Sequence, residues 1–191
     1  GSEEAIIGII AIRDEIRPQS KDMVAELHRM GIKVVMLSGD NPVTSKAIAK
    51  ELGIDDVRAE LKPEDKIKAV EELEKKYGSV AMIGDGINDA PALARATIGI
   101  AMGTAGTDAA IEAADVALMA DDLSKVPYAI NLGQKTRKIS RQNIIFSLSL
   151  LAVLIPTALM GLMSVAIAVF VHESSELLAV ANGLRVAGHK R

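Results

Sequence analysis

The chain has 191 residues, no cysteine and a formal net charge of −3 at pH 7. Lack of cysteine excludes disulfides and thiolate metal sites within it, and the small acidic excess excludes the basic footprint of a nucleic-acid binder. Charged residues make up 25% and hydrophobic residues 49%, but unevenly, for Gln142 to Val171 runs thirty residues without Asp, Glu, Lys or Arg. No segment near the N-terminus has the pattern of a secretory signal. Gly1-Ser2 reads as the remnant of a cloning junction, so a piece of something longer is expected.

In chain order, Ala5 to Ile12 is an apolar run of strand length that ends at Arg13-Asp14-Glu15. Pro18 suits the first turn of a helix reaching Met30, with Gly31 as its stop. Ile32 to Leu37 predicts a buried strand, followed by Ser38-Gly39-Asp40-Asn41. Asn41 fits an N-cap with Pro42 at the first helical position, and that helix stops at Gly53. A short strand at Val57 to Glu60 leads through Lys62-Pro63-Glu64-Asp65-Lys66 into a charged amphipathic helix closed by Gly78. Val80 to Ile83 predicts the central strand, with a short helix after Pro91. Strands at Ile98 to Ala101 and Val116 to Met119 flank another helix from Asp108. Such alternation with short connections predicts an α/β fold, a Rossmann-like, mostly parallel sheet wrapped by helices.

The central strand ends in Gly84-Asp85-Gly86-Ile87-Asn88-Asp89-Ala90-Pro91. In an open parallel sheet the C-terminal strand ends share one edge, where ligands bind. Asp14, Ser38 and Asp85 all fall at such ends. Gly84 and Gly86 allow close backbone approach, and Asp85 with Asp89 offers hard oxygen ligands of the kind Mg²⁺ takes beside a phosphate. A plain turn rich in Gly, Asn and Asp has the same composition. Spacing alone assigns Lys66 no special role, since a lysine in a charged helix is ordinarily solvated.

From Asp122 a long helical pattern begins, basic near its end at Lys135, Arg137, Lys138 and Arg141. The charge-free block exceeds the roughly 20 residues of one membrane-spanning helix but falls short of two. Two spans fit if the first covers about Gln142 to Met160 and the second about Leu162 to Val186, with the turn near Met160-Gly161. The basic cluster, together with Arg185, His189, Lys190 and Arg191, then lies on one side, which the positive-inside rule makes cytoplasmic. A pair of apolar helices in a soluble core is the alternative, and too little chain remains to cover them. Three units follow: residues 1–121, a connecting helix over 122–141, and a hairpin with basic tail over 142–191.

Within the second span sits His172-Glu173-Ser174-Ser175-Glu176. His172 and Glu176 share one helical face, and ionisable groups at membrane depth line polar pathways or pair with each other. Imidazole with carboxylate suits Zn²⁺, Co²⁺ or Fe²⁺ better than Cu⁺. A proton relay uses the same groups, and emergence of the helix at Val171 would leave them at the surface.

Taken together, these motifs resemble the C-terminal part of a heavy-metal-transporting P-type ATPase, whose catalytic domain has the haloacid-dehalogenase fold. Gly84 to Pro91 looks like that family's magnesium-binding hinge motif. Ser38-Gly39-Asp40 resembles the segment that holds the phosphoryl group, with serine where threonine is commoner. Lys66 matches the lysine that neutralises phosphoryl oxygens, and Asp14 with Arg17 looks like the Asp-x-x-Arg element beside it. His172 to Leu178 is similar to a motif of the cobalt/zinc-type branch, but Ser174 and Glu176 replace glycine and threonine. Asn182 and Leu184-Arg185 match the usual close of that helix.

The resemblance implies an ATP-driven pump for a divalent transition metal, integral to the plasma membrane, with residues 1–141 and the C-terminus cytoplasmic. Asp85 and Asp89 are implied as Mg²⁺ ligands, Ser38, Gly39, Asp40, Lys66 and Asn88 as the phosphoryl machinery, and His172, Glu173 and Glu176 as cation ligands. The family's phosphorylated Asp-Lys-Thr-Gly segment does not occur in the chain. The implied partners are therefore the lipid bilayer and an upstream portion of the same polypeptide carrying that segment, the nucleotide-binding domain and other membrane helices. By itself the chain is expected to be inactive. The rival readings are a membrane-tethered phosphatase of the same fold, with Asp14 as nucleophile, and a non-catalytic metal-binding membrane module.

Overall fold

The computed structural model describes residues 16–84, 87–102, 108–118 and 122–187. The strand expected at Ala5 to Ile12, together with Asp14, Asp85, Gly86, Met119 and the tail residues His189, Lys190 and Arg191, lies outside them. The chain divides into two compact units, one ending at Lys125 and the other beginning at Val126.

In the first unit the described elements are α1 (Gln19–Arg29), β1 (Val35–Leu37), α2 (Pro42–Leu52), β2 (Asp56–Arg58), α3 (Pro63–Tyr77), β3 (Ala81–Gly84), a 3₁₀ turn (Ile87–Asp89), α4 (Ala90–Arg95), β4 (Ile98–Met102), α5 (Asp108–Ala113) and β5 (Val116–Leu118). Helices α1, α2 and α3 stop at Gly31, Gly53 and Gly78, all at positive φ. The Asn41 side chain accepts the Thr44 N–H at 2.9 Å, capping α2 as its sequence predicts.

All described strand pairs are parallel. β1 pairs with β2 from Val35 opposite Asp56 to Leu37 opposite Arg58, and β4 lies between β3 and β5 in a second ladder. The first of these strands is shorter than the apolar run Ile32 to Leu37, because the residues before Val35 bond elsewhere. The Ile32 N–H closes α1 on the Leu27 carbonyl at 2.9 Å, and the Val34 N–H goes to Asp55 Oδ2 at 2.8 Å.

The core gathers Val70 of α3, Met82 of β3, Ala92 and Leu93 of α4 and Ala101 of β4, with Leu37 and Ile67 packed against them. Two glycines let α4 lie directly on β3 and β4. A Cβ on Gly99 would stand 2.6 Å from the Leu93 carbonyl oxygen, and one on Gly84 would stand 2.7 Å from Asp89 Cβ.

The second unit is a helical hairpin: α6 (Lys125–Leu159), α7 (Val165–Gly183) and a closing 3₁₀ turn (Leu184–Val186). The basic stretch and the apolar stretch that follows it are one uninterrupted helix. Near its end Pro156 has no N–H to donate, and the Thr157 hydroxyl donates to Val153 O at 2.9 Å. The turn falls where the sequence places it. Gly161 adopts φ +71°, and the Leu162 N–H reaches back to Thr157 O at 3.0 Å, a left-handed stop that favours glycine. Ser164 then caps α7, accepting from Ile167 N–H at 3.4 Å. Both helices are long and apolar enough to cross a membrane, and only 6% of each apolar window is buried. That exposure is consistent with a transmembrane hairpin.

Gly99→Ala is expected to cost about 1–3 kcal/mol, because the new methyl meets rigid backbone rather than a side-chain tip; hydrogen exchange at the β3 and β4 amides should accelerate accordingly. A second expectation concerns pH. The Val34 N–H, and after it His28 at 2.8 Å from Asp55 Oδ2, hold the Asp55 carboxyl below its ordinary value. A depressed carboxylate contributes stability that is present above the unfolded-state pKa and is lost as pH falls through the folded one. Asp55→Asn should therefore destabilise the first unit near neutral pH, with the difference shrinking in acid. The group is 37% exposed, so the effect is small; unfolding curves of both proteins at two pH values measure it.

Candidate functional site

Lys66 lies in the first turn of α3, which Pro63 starts and whose Asp65 side chain accepts the Lys62 N–H at 3.4 Å. Its ammonium donates to Asp89 Oδ1 at 2.6 Å, with the two side chains only 17% and 15% exposed. Asp89 closes the 3₁₀ turn after β3 and rests against Gly84, in the space a side chain there would fill. The pair therefore joins α3 to the C-terminal end of β3. A largely water-shielded carboxylate beside an ammonium is a place where charge is handled under low dielectric, and where either partner alone is costly.

Ser38 and Asp40 form a second group at the end of β1. The Ser38 hydroxyl donates to Asp40 Oδ2 at 2.8 Å and accepts the Asp40 N–H at 3.1 Å. The segment is stitched to the loop after β2: Glu60 N–H reaches Asp40 O at 2.9 Å and Leu61 N–H reaches Ser38 O at 3.0 Å. Glu60 holds a positive φ of 56° to do so. Leu37, just before Ser38, and Ile67, just after Lys66, pack on the same core cluster, so both groups stand on its rim. Asn88 is exposed on the 3₁₀ turn, and Arg17 is exposed just before α1. Asp14 and Asp85 lie outside the described residues.

In the hairpin, His172 Nε2 stands 3.6 Å from Glu176 Oε1, one helical turn away. His172 Nδ1 is buried without a hydrogen-bond partner among the described residues, and the Ser175 hydroxyl donates to the His172 carbonyl at 2.6 Å. Glu173 is exposed and does not complete a ligand set with the pair; among the described residues no three His, Asp or Glu side chains gather closely enough to hold an ion.

Sequence reasoning missed two features. One is the Lys66–Asp89 contact, invisible to spacing because the residues are 23 apart. The other is a polar bridge between α6 and α7: Asn143 Nδ2 donates to Ala179 O at 2.9 Å, Asn182 Nδ2 to Asn143 Oδ1 at 2.8 Å, and Arg185 to Asn182 Oδ1 at 2.9 Å. An asparagine opening a charge-free apolar block was the available signal, since a buried amide there needs a partner.

The parallel ladders, the acidic turn after β3 and its lysine partner define a haloacid-dehalogenase-type unit. Residues 2–97 match the model of the haloacid dehalogenase-like hydrolases, and the chain belongs to that family. It is also homologous to zinc- and cadmium-transporting P-type ATPases. It is 46% identical over 187 residues to the cadmium-transporting ATPase of Staphylococcus aureus, covering 97% of this chain and 26% of that protein. To the "Probable cation-transporting ATPase G" of Mycobacterium tuberculosis it is 49% identical, over 96% of this chain and 24% of that one. The crystal structure of a zinc-transporting PIB-type ATPase in its E2.Pi state superposes with a TM-score of 0.89 at 43% identity, over 96% of this chain and 30% of that one. The chain thus spans about a quarter of the length of the curated relatives it matches.

Asp89→Asn should leave the Lys66 ammonium without its anionic partner at a site largely closed to water. A loss of about 1–3 kcal/mol is expected, read from denaturant unfolding. Gly84→Ala should give a similar loss by displacing Asp89, whereas Asn88→Ala, on the exposed side of the turn, should leave stability nearly unchanged.

Proposed function

We propose that the chain supplies the phosphoryl site and part of the ion pathway of an ATP-driven pump for a divalent transition metal. The observation that carries this reading is the shielded Lys66–Asp89 pair at the end of β3. Phosphoryl transfer is governed by positioning and by fixed charge where negative charge is shared among equatorial oxygens. Lys66 is suited to that task, and Asp89 holds its ammonium in place until the group arrives. Ser38 has the hydroxyl, and Ser38-Gly39-Asp40 the backbone amides, to fix the same oxygens; turning the Ser38 proton from Asp40 to the ligand costs one hydrogen bond and gains a charge-assisted one. Asp14 and Arg17 belong beside this group by motif.

Asp85 and Asp89 offer hard carboxylate oxygens, and the missing side chain at Gly84 lets the Asp89 carboxylate pack against the strand end, so the donor set fits Mg²⁺. When bound there the ion offsets negative charge on the transferred group. The aspartate that accepts the phosphoryl group is assigned to an upstream segment of the polypeptide, as is the nucleotide-binding domain. In the membrane, His172 and Glu176 are the cation pair, and His172 Nδ1 is buried without a hydrogen-bond partner among the described residues. Glu173 joins them only if α7 turns or a neighbouring helix completes the set. The homology to transporters of zinc and cadmium supports a borderline-soft divalent cargo. The relatives are cation-transporting ATPases by name, which with the two long apolar helices favours a cell-membrane location, and the basic residues Lys135 to Arg141 and Arg185 favour a cytoplasmic first unit and C-terminus.

Asp85→Asn, introduced into the complete polypeptide, should abolish metal-stimulated ATP hydrolysis; wild-type turnover would overturn the assignment. Glu176→Ala should lower the stoichiometry of bound metal and slow transport while leaving the first unit folded. Unchanged metal binding would remove Glu176 from the pathway.

A further inference from the structure

Helix α6 carries no acidic residue along its whole length from Lys125 to Leu159. Its cations are grouped: Arg137, Lys138 and Arg141 sit at i, i+1 and i+4 on one exposed side, and Lys135 lies half-buried just before them. No hydrogen bond or ion pair engages any of the four among the described residues. Arg141 is the last charge before the thirty-residue apolar block. From Arg137 to Arg141 the helix rises about 6 Å. That matches the roughly 5–8 Å of headgroup layer on each side of a bilayer's hydrocarbon core.

A fifth cation joins them from the 3₁₀ turn that closes α7. Arg185 Nη1 donates to Asn182 Oδ1 at 2.9 Å, and Asn182 Nδ2 reaches Asn143 Oδ1 at 2.8 Å and Gln142 Oε1 at 3.4 Å. The bridge holds the Arg185 guanidinium level with Gln142 and Asn143, one residue past Arg141. Cations without an ion pair among the described residues, on α6 and in the turn after α7, at one depth and at the edge of an apolar span, have a complementary partner in the phosphodiesters of that same bilayer.

We propose that Arg137, Lys138, Arg141 and Arg185 form a binding surface for the headgroups of anionic phospholipids, which fixes the depth of the hairpin in the membrane. Lys135 borders it. A soluble acidic partner fits the charge but not the depth, since the cations lie within one headgroup thickness of the hydrocarbon edge. The inference rests on the membrane-spanning reading of α6 and α7.

The test uses the full chain reconstituted in phosphatidylcholine vesicles containing spin-labelled phosphatidylglycerol or spin-labelled phosphatidylcholine as the reporter lipid. The labelled phosphatidylglycerol should be held at the protein surface with roughly threefold or greater preference, declining as salt is raised. Arg137→Gln, Lys138→Gln and Arg141→Gln together should reduce that preference at least by half, and Arg137→Lys with Arg141→Lys should retain it. Equal retention of the two lipids by the wild type, or an unchanged preference in the triple variant, would overturn the proposal. Alkaline carbonate extraction separates this from the underlying reading. A chain released by carbonate overturns the membrane span and the lipid surface together, whereas a chain that stays inserted without lipid preference overturns the lipid surface alone.

Discussion

Helix α4 can lie on β3 and β4 only because two positions in those strands have no side chain. At Gly99 the backbone of α4 comes so near that a methyl group would meet the Leu93 carbonyl, and at Gly84 the space is taken by Asp89 itself. Close approach buries Ala92 and Leu93 completely and draws the turn before α4 tight against the strand end. Asp89 is thereby fixed, and its position sets where the Lys66 ammonium can find an anion. Packing of two glycines thus controls the electrostatics of the candidate site.

Around that contact, charged side chains tie the elements at their outer ends. Arg95 of α4 bonds Glu71 and Glu74 of α3, each at 2.9 Å, and Thr97 donates to Glu74 at 2.7 Å. The Thr97 hydroxyl, with Arg95 beside it, holds the Glu74 carboxyl below its usual range. Exposed pairs of this kind each contribute little. Their geometry nevertheless keeps α3 and α4 in register, and both helices carry residues of the Lys66–Asp89 contact or its border.

The hairpin follows other rules. Lipid removes the hydrophobic drive between helices, so association depends on close packing and polar contacts. Asn143 and Asn182 supply such contacts near one end, and the left-handed turn at Gly161 closes the other. The ionisable pair His172 with Glu176 is separated from that bridge along α7. The clamp at the boundary satisfies its amides locally, whereas the pair deeper in leaves His172 Nδ1 without a hydrogen-bond partner among the described residues.

Much of this was legible in the sequence. Gly31, Gly53, Gly78 and Gly161 stop helices where their spacing predicts, Asn41 caps α2, and parallel strands alternate with helices as the apolar runs require. The motif from Gly84 to Pro91, the shared face of His172 and Glu176 and the charge-free block were readable because each depends on residues close together in the chain. Other features depended on distant residues and were decided by the fold. Asp55 takes the Val34 N–H and shortens β1; Lys66, unremarkable in a charged helix, meets Asp89 across the strand end; and Asn143 crosses to Asn182. Local sequence determined which elements form and where they stop, because caps, glycine φ and periodicity act within a few residues. Only the tertiary structure decided which charges meet, because that depends on how closely α4 can approach its strands and how α7 turns against α6.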